Sequence, residues 1–571
     1  MYDECIESKG ESNGIEIKGR HCMYEVDPMI DGNNLPYGPT MSVCLPASCN
    51  ADDVVALAKV TINATDELRG PGVNIASATC TASGNIKNWN LGLSICVATV
   101  GIYIAFLIFC TIYDLTGRGY DFQKGNGAGN YEFYQKFSLA TSAQAIISTK
   151  ISENDLPVIH GIRALSTLWI VRFHEYYTPI FGVNMNLLDI TKWLSSWRYV
   201  DILMSSFSVD TFFVLSGFLM TFTFFKKIQK EKNFNLLHYY SHRYMRLTPP
   251  MAILVLISTT IFPSLASGAR WEWMQNFLVT GCRTKWWSIL LYVMNFVDQN
   301  SHCLLHLWSN CVDMQLYWIS PLILIPLYRK PKLGLIILGT LLAFSIVSTG
   351  WIVGSNGYLA TYASYEPNIT MTRDAFFSVY VMPHTRAAPW LFGILLGYEV
   401  FNKNFEITKE IAMAGWLLIL GSLTMFMIFT SLMIDQNYKS NIFVETIAAS
   451  IMRPVWAVSM CWLILTSLHN WSGPISSILS WKYFLPISRL SYCIFLTHIC
   501  IPMIRHGTLR SASYFHDYPI FHAYVGDMVL ATIIAFFFSI FFERPFLVFE
   551  SLISKNRARS ARSSSKQQKI D

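Results

Sequence analysis

The stretch HGIRALSTLWIVRFHEYY, His160 to Tyr177, is apolar enough to cross a bilayer yet carries Arg163, Arg172, His174 and Glu175. Ionisable groups in a spanning helix cost about 2.5–3.5 kcal/mol each at the helix centre on insertion scales, so they read as lining a cavity with a task. Arg163 and His174 stand eleven positions apart. On a helix of 100° and 1.5 Å per residue that is about 20° from alignment and about 16 Å along the axis. The two side chains thus share a face, one near the membrane surface and one near its middle. A long, thin, anionic molecule could touch both. A histidine that merely bonds a neighbouring helix is the competing reading, and this helix alone gives the two equal weight.

Outward from this helix, composition places the whole chain in a bilayer. Of 571 residues, 52% are hydrophobic and 15% aromatic, while only 14% are charged; soluble domains carry about 25% charged residues. The net charge of +6 sits in inter-helix loops and the tail, which reads as an orientation signal and argues against a nucleic-acid partner. The first span is predicted from Leu91 to Ile112, LGLSICVATVGIYIAFLIFCTI. Ten more are predicted at about 160–182, 206–225, 248–266, 310–328, 333–353, 386–401, 411–434, 445–468, 484–505 and 523–542. Lysine and arginine gather in alternate connections: Lys226, Lys227, Lys230 and Lys232, the turn Arg329-Lys330-Pro331-Lys332, and the tail KNRARSARSSSKQQK. By the positive-inside rule these are cytosolic, which makes the N-terminus exoplasmic and the C-terminus cytosolic. The expected fold class is an all-α polytopic membrane protein of about eleven transmembrane helices, in the plasma membrane or an endomembrane.

The cysteines agree with that orientation. Cys5, Cys22, Cys44, Cys49 and Cys80 fall in the polar region 1–90, which reads as a small, disulfide-containing exoplasmic domain. Five is odd, and Met1 leads into YDECIESKG without an apolar signal segment; the expectation is a chain that continues upstream. Cys282 and Cys303 border one outer loop and are expected to pair, with Cys311 staying a thiol. Asn63-Ala64-Thr65 and Asn368-Ile369-Thr370 are outer glycosylation acceptors, whereas Asn470-Trp471-Ser472 is expected inside and unused. The predicted organisation is the cysteine-bearing domain 1–90, a first helix 91–112, a cytosolic linker 113–157 containing KGNGAGN, a membrane domain 158–548 and a basic tail 549–571.

Polar residues in the spans form two layers. Toward the inner surface are Arg163, Arg243 and Arg246 of HRYMRLTPP, and Glu543 with Arg544 of FFERPF. Guanidinium forks match phosphate oxygens, so converging arginines suit a phosphate-rich group, although any single one is a helix-end anchor on its own. Deeper lie His174, Asp210 of SFSVDTFFVLSGF, Asp313 of CVDMQLYW and His498 of SYCIFLTH. This layer suits proton transfer: His174 as general base, with Asp210 or Asp313 orienting its other nitrogen. A buried Asp–His pair that only joins helices is the rival. His498 is equally a structural or a substrate-contacting residue. Gly217 after Ser216 is expected to allow close helix packing. Arg172 and Glu175, three apart, are expected to pair with each other.

The segments GIRALSTLWIVRFH, SVDTFFVLSGFLMTF, HRYMRLTPP, VDMQLYWISPLI, RAAPWLFGILLGY, RLSYCIFLTH and ERPF follow in that order. Together they resemble the membrane acyltransferase-3 family over nearly the whole chain, and the cysteine-bearing module with its extra helix resembles the animal nose-resistant-to-fluoxetine branch. The resemblance implies a ten-helix core that transfers an acyl group from acyl-CoA. The family's arginine–histidine signature falls on Arg163 and His174, its FFxxSG stretch on Phe212 to Gly217, and its basic pair on Arg243 and Arg246. Asp313 stands where bacterial relatives usually carry glutamate, which puts a direct catalytic role there in doubt. Within the shared segments, His498, Ser216, Gln315 and Arg386 are candidate substrate contacts. The expectation is O-acyl transfer, acetyl in the first instance, to a hydroxyl of a lipid, sterol or glycan, without metal. The alternative is a lipid or small-molecule transporter using the same polar cavity.

Overall fold

A computed structural model describes residues 2–12, 15–27, 29–30, 33–34, 40–64, 74–82, 91–117, 128–151, 156–231, 234–297, 303–361, 369–403, 406–435 and 437–553. The basic tail from 554 onward, Thr65 and Asn368 of the two acceptors expected outside, and 124–127 of KGNGAGN lie outside the described residues.

The N-terminal region is built on a sheet, which an all-α reading misses. Ile15–Asp27 is its central strand, pairing antiparallel with Lys9–Ser12, Thr40–Pro46 and Asn74–Ala82. Its period-two alternation is broken by Gly19 and Arg20, so a search weighted to long apolar helices passes over it. Cys22 stands opposite Cys80 across the ladder and is bonded to it, Cys5 is bonded to Cys44, and the odd cysteine is Cys49, a thiol. Asp3 and Arg510 form an ion pair at 3.2 Å that ties this module to the bundle.

Among the described residues, eight helices are long and apolar enough to cross a membrane, or nine if the bent pair Phe484–Thr497 and Cys500–Gly507 counts as one. The expected eleven included two helices outside that set, Pro157–Tyr177 and Pro383–Asn402. Both occupy the predicted segments, but their polar residues lower the hydropathy and much of each is buried against protein. The architecture is a multi-pass bundle in which the least apolar helices lie innermost.

Three departures from the predicted boundaries shape the site. The helix predicted from 248 begins at Leu236 and runs to Thr260 with Pro249 and Pro250 inside it, so Arg243 and Arg246 are helical residues. The predicted 484–505 span bends by 43° after Thr497. Pro502 has no N–H to give the carbonyl four residues back, that of His498, and its ring crowds that carbonyl, so the helix breaks there. Asp517–Phe538 ends in a π-helical turn, Ser539–Glu543, a local widening that re-aims side chains.

The helix Phe207–Glu231 packs on Pro383–Asn402 at backbone distance. A Cβ at Gly217 would stand 2.2 Å from the Trp390 carbonyl oxygen, and one at Gly393 would stand 2.2 Å from that of Val214. Only hydrogen fits at either position, as close helix crossings in membranes require. Between residues 261 and 307 the chain forms two short helices, Trp271–Leu278 and Cys282–Leu290, closed by the Cys282–Cys303 disulfide. Cys311 is a buried thiol, as expected. The Tyr292 hydroxyl reaches Thr248 Oγ1 at 2.9 Å, so this segment dips back beside the Arg243 helix.

Candidate functional site

A cavity of about 840 Å³ opens between the helices Pro157–Tyr177, Phe207–Glu231, Leu236–Thr260, Trp308–Arg329 and Phe484–Thr497. Eight basic residues line it: Arg163, Lys227, His238, His242, Arg243, Arg246, Arg489 and Arg544, against the acids Asp313 and Glu543. Some of these cations are engaged. Arg243 pairs with Asp313, stacks over the Tyr317 ring at 4.4 Å, and shares Asp313 with Ser216, whose hydroxyl donates to Oδ1 at 2.5 Å. Arg489 donates to the carbonyls of Ala145, Ile146 and Ser148, closing the C-terminus of the Leu139–Ile147 helix. Among the described residues, the side chains of Arg163, Arg246 and Arg544 make no hydrogen bond or ion pair. Three free guanidiniums facing one cavity can bind phosphate bidentately.

His174, on the same helix as Arg163, is not part of that cavity's wall. It meets two other histidines instead. Its Nδ1 lies 3.1 Å from His498 Nε2 and 3.0 Å from the Ile170 carbonyl oxygen. The His498 ring stands 5.8 Å from that of His306, and both are buried, whereas His174 keeps part of its surface open. The Phe495 ring, which does line the cavity, sits 5.8 Å from each of His498 and His306. Phe495 is thus a cavity-lining ring that also meets two of the three imidazoles.

Neither aspartate orients His174. Asp313 is held by Arg243 and Ser216 at the cavity wall. Asp210 is fully buried between Arg453, whose Nη1 donates to Oδ2 at 2.6 Å, and Arg386, whose Nη2 is 3.4 Å from Oδ1. Aromatic faces surround Arg386: Tyr380 at 4.7 Å, Trp308 at 5.1 Å and Phe213 at 5.8 Å. A carboxylate in so dry a place is stable only beside cations, which draws it to arginine before histidine. Gln315 faces away from the cavity. Its amide donates to the Tyr292 carbonyl at 2.6 Å and to Asn295 Oδ1 at 2.7 Å, holding the dipping segment in place. Arg172 and Glu175 do not pair with each other: Arg172 binds Asp201 at 2.5 Å and Glu175 binds Arg505 at 2.5 Å. Their spacing permits a pair, but partners on other helices are better placed. Sequence reasoning missed Arg453 and His306. An arginine within the IMRPVW segment of a predicted span was a signal for the first; nothing local marked the second. Among the described residues, no group of three or more His, Cys, Asp or Glu could hold a metal ion.

The profile of the acyltransferase domain family, acyltransferase-3, matches residues 156–544. The chain is 26% identical to nose resistant to fluoxetine protein 6 of Caenorhabditis elegans, across 94% of this chain and 73% of that protein. It is 24% identical to regulator of hypoxia-inducible factor 1 of the same organism, across 47% of this chain and 55% of that protein. It is 25% identical to the O-acetyltransferase OatA of Staphylococcus aureus, across 60% of this chain and 50% of that protein. No solved structure matches.

Proposed function

This chain belongs to the acyltransferase-3 family, and from that premise we propose that it is an integral membrane O-acyltransferase that takes an acyl group, acetyl in the first instance, from acyl-CoA. The observation that carries the reading is the cavity in which Arg163, Arg246 and Arg544 present unpaired guanidiniums to one space. A CoA thioester is a chain of phosphates at one end and a slender arm at the other. The arginines hold the phosphates on the cytosolic side, and Arg243, neutralised by Asp313, shapes the wall more than it binds. Ser216 and Tyr317 complete that wall. The arm runs along Phe212, Phe213 and Phe495, and the Phe495 ring turns aside for the acyl end to reach His174.

In the transfer step His174 removes the proton of an acceptor hydroxyl on a lipid, sterol or glycan. The oxygen bonds to the thioester carbon, the C–S bond breaks, and the proton passes to the departing sulfur, giving an ester and free CoA. The acceptor enters from the exoplasmic half, on the side of the disulfide-bonded module. Asp210, Arg386 and Arg453 hold three helices in register around the reacting space.

The test is acetyl-CoA binding to the full chain in lipid nanodiscs. Arg163→Ala and Arg246→Ala are each expected to weaken it about 10- to 100-fold, the range of a charge-assisted contact, and the affinity falls as salt rises. Binding that is absent, or indifferent to both substitutions and to salt, overturns the reading.

A further inference from the structure

Carbonyl oxygens only accept hydrogen bonds, and this fixes the protons on two rings of the bundle. His498 Nδ1 lies 2.8 Å from the Phe495 oxygen and 3.1 Å from that of Ile494. Nδ1 therefore carries the hydrogen and, in the neutral ring, Nε2 carries the lone pair. His174 Nδ1 faces two acceptors, the Ile170 oxygen at 3.0 Å and the His498 lone pair at 3.1 Å. It too must carry a hydrogen. The basic nitrogen of His174 is then Nε2, which has no hydrogen-bond partner among the described residues, on a ring with open surface.

We propose that His498 is a positioning residue for His174: its Nε2 lone pair accepts the His174 Nδ1 hydrogen, leaves Nε2 of His174 as the single basic site and aims it at the reacting hydroxyl. This rests on His174 being the general base. A carboxylate usually fills such a role. In this bundle Asp210, Asp313 and Glu175 are each held by an arginine and Glu543 by Ser539 and Cys493, whereas a neutral imidazole costs far less to bury and needs no counter-ion. The break at Pro502 serves the same end, because the helix turns by 43° directly after His498 and sets its ring where it meets the neighbouring helix. When His174 takes the hydroxyl proton on Nε2, its Nδ1–H bond to His498 becomes charge-assisted and strengthens. His498 itself neither gains nor loses a proton. His306 donates from Nε2 to the Leu496 oxygen at 3.1 Å and bonds neither nitrogen of His174.

The test uses the full chain in nanodiscs with its histidine rings labelled with 15N, the His174 signals being assigned from a His174→Gln difference spectrum. The expected spectrum shows His174 in one form, protonated at Nδ1 and bare at Nε2. In His498→Phe the two tautomers mix. In His498→Gln, whose side-chain oxygen also accepts, the single form returns. With acetyl-CoA and a mixture of cholesterol and diacylglycerol as hydroxyl donors, kcat falls about 10- to 100-fold in His498→Phe, while KM for acetyl-CoA stays within about twofold. His498→Gln recovers most of the loss, and His306→Phe stays within about threefold of the parent chain. A His174 protonated at Nε2 in the parent chain overturns the proposal, as does a His498→Phe chain with unchanged tautomer and turnover. The spectra need no acceptor and decide by themselves. A His174→Gln chain that keeps its turnover overturns the general-base reading instead, whatever the spectra show.

Discussion

Asp210 and Asp313 each hold an arginine, on facing helices, in opposite surroundings. The Asp210 carboxylate is 0% exposed and lies between Arg453 and Arg386, itself 0% exposed, with aromatic rings filling the remaining space. The Asp313 carboxylate is 21% exposed, at the wall of a cavity, and its arginine has a hydroxyl and a ring for company. Among the described residues, the first site is dry and sets two guanidiniums around one carboxylate. The second is wet and balanced, within a cavity that is cationic overall. The difference separates two uses of the same pair of residue types: where no water enters, the carboxylate keeps charged helices together; where water enters, it trims the charge of a cavity wall.

The largest effect is therefore expected at Asp210. Asp210→Ala removes the carboxylate that the two guanidiniums share, and breaking a buried pair by removing one partner costs about 3–5 kcal/mol. The expected result is a chain recovered in low yield with a strongly lowered melting temperature in detergent. Arg386→Met added to Asp210→Ala removes the excess cation and is expected to restore about half of the loss. A single variant as stable as the parent would erase the contrast between the two sites.

A smaller loss is expected at Gln315, which lies on the Asp313 helix but points the other way. Its amide bonds to Tyr292 and Asn295 keep the dipping segment against the bundle. Gln315→Leu leaves the Tyr292 carbonyl unsatisfied, a cost of about 1–3 kcal/mol, with acetyl-CoA affinity unchanged within about twofold. A normal melting temperature combined with lost affinity would return Gln315 to the substrate side and blur the line between wall and backing.

What could be read from the residues alone follows the same division between wet and dry. Spanning helices are written in hydropathy, which was legible in segments such as Leu91–Gly117 and Pro331–Asn356, and the Arg163–His174 spacing is written in helical period, legible in the His160–Tyr177 segment. Gly217 could be assigned to packing because FFVLSGF leaves little other use for a glycine between large rings. Partner choice was not legible. Whether Asp210 meets a histidine or an arginine depends on Arg386 and Arg453, which lie more than 170 residues away along the chain and arrive only through helix packing. The His174–His498 contact depends on where Pro502 breaks a helix, which a span predicted as continuous hides. The sheet of the first 82 residues has strands too mixed in polarity to stand out from a loop, the long central strand Ile15–Asp27 among them.

The smallest stability change, and the most discriminating binding change, is expected at Asp313. The carboxylate is partly solvated, so Asp313→Ala costs at most about 1 kcal/mol of folding free energy, the range of exposed ion pairs. Its loss leaves the Arg243 guanidinium free at the edge of a cavity where Arg163, Arg246 and Arg544 already favour anions. One negative charge fewer raises the attraction for a phosphate-bearing ligand. Acetyl-CoA affinity is expected to rise about three- to tenfold at low salt, by equilibrium binding in nanodiscs, and to converge on the parent value as salt screens the cavity. Asp313→Asn, which keeps the hydrogen bond from Ser216 but not the charge, is expected to match Asp313→Ala in affinity and the parent in stability. A carboxylate that took part in chemistry would behave otherwise: affinity would stand still and turnover would collapse in both variants. That outcome would make Asp313 the reactive member of the pair and would move the proposed acid–base work from the imidazoles to the cavity wall.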